Sequence, residues 1–276
     1  MDKQITVVKD IRETPILQLA YIHVNIAPII YIKKQDISNL KSLKLLIKSP
    51  IEASSMLKID PNTFSNFKNL EDLNFTGFIE TSSNFQTYTS VNTFNLNSSI
   101  NIFKPIQNLI SLTNLSIKKC PFESLEDGIF KCLVNLKHLD LSSNKLKTLK
   151  KENFEGLDNL VYLNLSDNYI KEITGFPFQH LKSLKILDLH YNYIDDLKLD
   201  SFGYSLVNLK VLDLKNNDFK EIRKNVLKHL TNLKEIHLPG YFVNYPSRNL
   251  FKEIGVQQQT VIKIENPDIT FNIEYL

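Results

Sequence analysis

The chain has two cysteines, no tryptophan, seven glycines, three arginines and three alanines in 276 residues. Cys120 and Cys132 alone make no disulfide framework, which excludes a stapled mini-domain and favours a reducing compartment. No run of about eighteen uncharged apolar residues exists, so no transmembrane helix is expected. The first residues meet Lys9, Asp10, Arg12 and Glu13 before any apolar stretch develops, so no secretion signal is read there. That makes a cytoplasmic location the expectation, or an extracellular one if a signal segment is missing from this chain. Lys plus Arg number 33 and Asp plus Glu 30, so the strongly basic field of a dedicated nucleic-acid binder is absent. No nucleic-acid partner is expected, and no membrane partner.

Chemistry is equally scarce. The six histidines (His23, His138, His180, His190, His229, His237) show no H-x-x-x-H spacing, and the cysteines no C-x-x-C, so no metal is expected. No phosphate-cradling glycine loop and no G-x-S-x-G nucleophile turn occur. Ser166, His190 and Asp188 can be drawn as a triad, but on an open strand face nothing would exclude water or preorganise an oxyanion hole. The chain is read as no enzyme, with no cofactor.

A repeat fills the space these absences leave. Leu136-Lys-His-Leu139-Asp-Leu141-Ser-Ser-Asn144-Lys-Leu146 recurs from Leu160, from Leu184 and, after one extra residue, from Leu209. The pattern is L-x-x-L-x-L-x-x-N-x-L, with period 24 and an apolar pair later in each unit: Phe154/Leu157, Phe178/Leu181, Phe202/Leu206. Leu233 opens a further copy, and weaker ones begin at Leu112, Val91, Leu70, Leu43 and Leu19. About ten units thus cover residues 19–256. Residues 1–18 are read as an N-terminal capping segment and 257–276 as two C-terminal capping strands.

This pattern resembles the leucine-rich-repeat superfamily in its 24-residue, Phe-containing Toll/Slit-like subtype. The A+T-rich flavour of the composition also resembles insect-poxvirus repeat proteins. The resemblance implies an α/β fold: a right-handed solenoid with a parallel β-sheet on the concave face and a convex side of irregular and short helical segments. The x-L-x-L-x alternation is that of a half-buried strand. One unit cannot bury its own apolar face, whereas stacked units share a core. Asn144, Asn168, Asn192 and Asn217 are expected to form a structural ladder, their amides satisfying backbone groups of neighbouring turns. The slot holds Ala27, Phe78, Ser99, Cys120 and Tyr241 elsewhere, so a regular arc is expected from about 112 to 232 and a looser N-terminal part.

The resemblance also implies binding on the concave face. The residues picked for a protein partner are His138, Tyr162, Asn164, Asp188, His190, Tyr191, Asp213 and Lys215. Interfaces favour tyrosine, and here it is the abundant anchor type. Asp140, Asp188 and Asp213 also fit a bland reading, in which they keep the face solvated. A column of first-offset lysines (Lys44, Lys137, Lys185, Lys210, Lys234) reads as solvated surface, the sequons at Asn74, Asn97, Asn114 and Asn164 as incidental, and the shortened units at 77–105 as drift. The expected function is a non-enzymatic protein-protein interaction scaffold. The alternatives are an extracellular receptor-like recognition module and a targeting subunit of an enzyme complex.

Overall fold

The computed structural model describes residues 16–23, 29–30, 41–50, 58–59, 64, 67–80, 106–120, 122–219, 222–240, 260–266 and 269–273. The expected caps at 1–15, the slots Ala27, Ser99 and Tyr241, and most of 77–105 lie outside these residues.

Each x-L-x-L-x segment forms a strand, and the strands stack in parallel. The long sheet is built from β1 (Ile16–His23), β3 (Ser42–Pro50), β5 (Asp72–Glu80), β6 (Asn114–Lys118), β7 (His138–Asp140), β8 (Tyr162–Asn164), β10 (Ile186–Asp188), β12 (Val211–Asp213), β13 (Glu235–Leu238), β14 (Val261–Asn266) and β15 (Ile269–Ile273), joined in that order. All pair in parallel except β15, which folds back antiparallel on β14. Small pairs lie apart from this sheet: β2 (Ile29–Ile30) with β4 (Lys58–Ile59), and β9 (Glu172–Ile173) with β11 (Asp196–Leu197). Helix is minor among the described residues: a 3-10 turn at Lys151–Phe154 and one short helix, α1 (Leu199–Phe202). The chain is therefore a parallel solenoid, as the repeat implied.

The register explains the core. Leu115, Leu139, Leu163, Leu187 and Leu212 are direct neighbours along the sheet, and all are essentially inaccessible. Each such leucine contributes about 2 kcal/mol on burial. Behind them Phe154, Phe178 and Phe202 stack at 6.0 and 6.5 Å between ring centroids. Identical residues one period apart thus meet face to face, which a 24-residue repeat guarantees.

The asparagines close each coil. The Asn168 side chain donates to Leu141 O and Leu165 O at 3.0 and 3.1 Å, and its Oδ1 accepts the Leu146 N–H at 3.0 Å. Asn192 and Asn217 make the same three bonds in their own coils; Asn144 makes the same two donations, but its Oδ1 accepts from the residue in the preceding slot itself. At the slot before Asn144, Cys120 is buried; its N–H donates to Asn144 Oδ1 at 2.7 Å. Both cysteines are free, with Cys132 exposed. The sheet strands that lead into a ladder asparagine, β7, β8, β10 and β12, are three residues long; β6 and β13, which do not, have five and four, and β1, β3 and β5 run to eight or nine.

Two expectations need correction. The unit at Val91 supplies no strand between its neighbours, because β5 pairs directly with β6, Asp72 facing Asn114 and Thr76 facing Lys118. Its weak Val-Phe-Leu triplet matched the template by composition alone. At the other end of the sheet, the two strands read as a C-terminal cap, β14 and β15, continue it beyond β13. The second correction is register. Leu17 and Leu43 pair in line with Leu73, so Gln18 and Lys44, rather than His23 and Ile47, take the place of Asn74. With no asparagine to fix the frame, an evenly apolar run such as Leu43-Lys-Leu-Leu-Ile47 slides by three residues in a reading of the sequence.

Candidate functional site

The sheet face carries the odd members of each strand in three rows. The first row reads Asp72, Asn114, His138, Tyr162, Ile186, Val211, Glu235 and Val261, neighbour by neighbour. The second row is Asn74, Ser116, Asp140, Asn164, Asp188, Asp213, His237 and Lys263. The third row lies just beyond the strands and holds Ser142, Ser166, His190 and Lys215.

Second-row residues grip their own backbone. Oδ1 of Asp140, Asn164, Asp188 and Asp213 accepts the N–H two residues on, from Ser142, Ser166, His190 and Lys215, at 2.9–3.0 Å. This turn recurs because Asp and Asn are short enough to reach their own i+2 amide. The recurring acid is therefore a structural device with one oxygen left over. In Asp140 and Asp213 that second oxygen meets a lysine, whereas in Asp188 the same Oδ1 also meets a histidine. Lys118 Nζ lies 2.5 Å from Asp140 Oδ2, and Asp213 Oδ2 meets Lys215 Nζ at 3.5 Å and His237 Nδ1 at 3.3 Å. His190 Nδ1 is 2.6 Å from Asp188 Oδ1. Glu235 bonds His237 and is 2.5 Å from Lys263 Nζ.

The picked residues divide accordingly. His138 hydrogen-bonds Asn114 Oδ1 at 2.6 Å and leans on Tyr162, ring centroids 6.2 Å apart. Burial raises the Tyr162 hydroxyl pKa, with Asp188 and Asp140 adding to it, so the phenol stays neutral. Asp188, His190, Asp213 and Lys215 do form one cluster on adjacent coils. Tyr191 leaves it: its backbone turns at φ 51° and its ring lines a groove beyond the strands, touching His190 edge-on at 5.2 Å.

Three neighbours were not among the picked residues. His237 and Glu235 sit in a copy whose asparagine slot is lost, and Lys263 lies in a segment read as a cap. Only pairing of β13 with β14 brings Lys263 to the site. Burial works to raise the Glu235 pKa, but hydrogen bonds from Lys263 and His237 outweigh it and hold the carboxyl below its ordinary range. The expectation of no metal rested on spacing within one segment. Folding brings ligand atoms of Asp188, His190 and Asp213 within 4.8 Å of one another, across two coils. These atoms are already shared with backbone N–H groups, Lys215 and His237.

A second asparagine row went unread. Asn135, Asn159, Asn208 and Asn232, each just before the first leucine of a unit, donate to Ile110 O, Val134 O, Lys182 O and Val207 O at 2.8–3.0 Å. The Asn-Leu dipeptide was visible but had been absorbed into the leucine signal.

A coil of parallel strands closed by an inward asparagine is the architecture of leucine-rich-repeat proteins, and residues 110–240 carry that family's repeats. The family model described as Leucine rich repeat matches residues 110–170, 159–204 and 183–240. No curated protein sequence matches the chain. Among solved structures, internalin C2 from Listeria monocytogenes str. 4b F2365 aligns over 73% of this chain and 72% of its own, at 23% identity and TM-score 0.49. The TLR13–ssRNA13 complex aligns over 91% of this chain at 21% identity and TM-score 0.55. The Toll–Spatzle complex of Drosophila aligns over 72% at 17% identity and TM-score 0.52. This chain spans 37% and 27% of those two chains, and the likeness is one of fold.

Proposed function

We propose that the protein is a non-enzymatic scaffold that binds a protein partner on the concave sheet face between β7 and β13. One observation carries this reading. Tyr162, Ile186 and Val211 are half-buried neighbours in an apolar row, bordered by acids that are held by their own backbone N–H groups, His190 and Lys215. An apolar strip within a polar, neutralised rim is how protein interfaces are built. The Asp and Asn turns and the asparagine ladder fix the strands, so little ordering entropy is lost on binding. A reducing compartment belongs to the same proposal, since Cys132 is a free, exposed thiol; cell fractionation that finds the protein only in secreted or luminal fractions would overturn that part.

Solved proteins of this fold include one in complex with Spatzle and one with an RNA, so both partner classes enter the test. A photo-crosslinking residue at Val211 on the sheet face is compared with one at Thr148 on the far side. The expected result is a discrete protein adduct from position 211 only, reduced about tenfold by Tyr162→Ala with His190→Ala. Equal adducts from both positions, or an adduct that is RNA, would overturn the reading.

A further inference from the structure

Beyond the C-terminal ends of the strands, the asparagine-bearing turns border an open groove of about 750 Å³. It lies off the sheet face, and concave-face binding makes no use of it. Two rows of side chains edge it, one residue either side of each ladder asparagine. One row contains Asp167 and Tyr191; the other reads Lys145, Tyr169, Tyr193 and Asp218, one per coil. The asparagine between the rows closes the coil, and the residue before it takes a left-handed backbone (Asp167 φ 53°, Tyr191 φ 51°), which suits Asp but does not call for a tyrosine.

These residues are nonetheless distinctive. Tyr169, Tyr191 and Tyr193 are 45%, 59% and 51% exposed. Tyr169 and Tyr193 stack on one another, centroids 5.6 Å apart and planes 10° from parallel. Three large aromatics within two coils exceed the scattered apolar residues of an ordinary surface. Their phenol oxygens make no hydrogen bond among the described residues.

The charges point to the occupant. On neighbouring turns the acids are paired: Asp158 with Lys182, Asp195 with Lys171, Asp196 with Arg223. Asp167 and Asp218 make no ion pair among the described residues, although both are exposed and edge the groove. Asp218 stands one coil after Tyr193 in its row, and Asp167 one coil before Tyr191 in the other. An aromatic ring beside an unpaired carboxylate is a seat for a planar cation, which lies on the ring and forks to the acid. Guanidinium fits this better than ammonium, because it is planar, weakly hydrated and bidentate. A sugar would stack on the rings and give hydroxyl hydrogen bonds to the carboxylates, but it brings no charge to neutralise them. The groove's two lysines, Lys119 and Lys145, lie at its N-terminal end and repel a cation there, while Asp167 and Asp218 lie toward the other end, which gives the groove a direction.

We propose that this groove docks an extended, arginine-bearing segment of a protein partner, with one guanidinium against Tyr193 and Asp218 and a second against Tyr191 and Asp167. The two seats are one coil apart along the sheet, ~5 Å, and also offset between the two rows, a separation that arginines at i and i+2 of an extended peptide, ~6.7 Å apart, can span.

The probe is the peptide acetyl-Gly-Ser-Arg-Gly-Arg-Ser-Gly-amide, titrated into the whole 15N-labelled chain. Shifts are expected at the amides of Asp167, Tyr169, Tyr191, Tyr193 and Asp218. Binding should weaken about tenfold when citrulline replaces arginine, and at least about fivefold in Tyr193→Ala and in Asp218→Asn. These sites are exposed, so an unchanged thermal midpoint shows that the variants fold. Tyr162→Ala alone, which keeps the His190–Tyr191 ring contact, should leave peptide binding intact, which separates this groove from the sheet face. No groove shifts at millimolar peptide, equal binding of the lysine or citrulline peptide, or groove shifts with diacetylchitobiose in place of arginine would each overturn the proposal.

Discussion

Asn168 accepts the Leu146 N–H of the preceding coil at 3.0 Å while donating to Leu141 and Leu165 carbonyls on either side. One buried side chain thus serves two turns. Asn168→Ala orphans the buried Leu146 N–H, worth about 1–3 kcal/mol, and removes one of two bonds at Leu141 O and Leu165 O, which keep Asn144 and Asn192, at about 0.5–1.5 kcal/mol each. We expect a loss of about 3–5 kcal/mol in denaturant unfolding. Asn159→Ala, which breaks the exposed bond to Val134 O, should cost under about 1 kcal/mol. Similar losses at the two sites would contradict the ladder's role.

The glycines give a second contrast. At Gly156, φ is 87° and an added Cβ would lie 2.5 Å from Lys131 O, a backbone atom that cannot swing away. At Gly175, φ is 72° but the space is open. Gly156→Ala should therefore cost several kcal/mol and Gly175→Ala only about 1 kcal/mol, the left-handed backbone term. Equal thermal midpoints for the two variants would show that the coil contact at 131/156 is not tight.

Pairing of β5 with β6 is testable by crosslinking. Thr76 and Lys118 are register partners. Adjacent parallel residues on one face are about 4.8 Å apart, within disulfide reach. Thr76→Cys with Lys118→Cys, in a Cys132→Ser background, should close a disulfide under mild oxidation. An intervening strand from the Val91 segment would separate the pair by about 10 Å and prevent it.

Glu235 links folding to acid. Its folded pKa lies below the ordinary 4.5. Burial opposes ionisation, and the bonds from Lys263 and His237 more than offset it. A depressed folded value means the stabilisation is present above the unfolded pKa and disappears as pH falls through the folded one. The bond to Lys263 also ties β14 to β13. Glu235→Gln should lower the thermal midpoint at pH 7 and reduce its fall between about pH 5 and 3. An unchanged acid limb would show that the pair adds nothing.

Much of this was legible in the letters. From Leu112 to Leu238 every leucine, the Phe column and the ladder follow from period 24, because identical offsets must stack. Lys263 was illegible, because its segment carries no repeat signal and joins the site only through sheet pairing. The aspartates were legible as a recurring type but not in role: their own-backbone turn is a matter of reach, seen only once the strand ends are placed. Tyr191 was misassigned because a turn at φ 51° aims it away from the strand it follows.

What the sequence by itself determined was the repeating unit, its inward leucines and its asparagine turns, since these rest on local periodicity. The tertiary structure alone decided which segments become neighbouring strands where the asparagine is missing, how the sheet-face charges pair across coils, and that three tyrosines and two unpaired aspartates share one groove. Those depend on residues a whole coil apart, and the backbone bonds between coils, not any local propensity, set that distance.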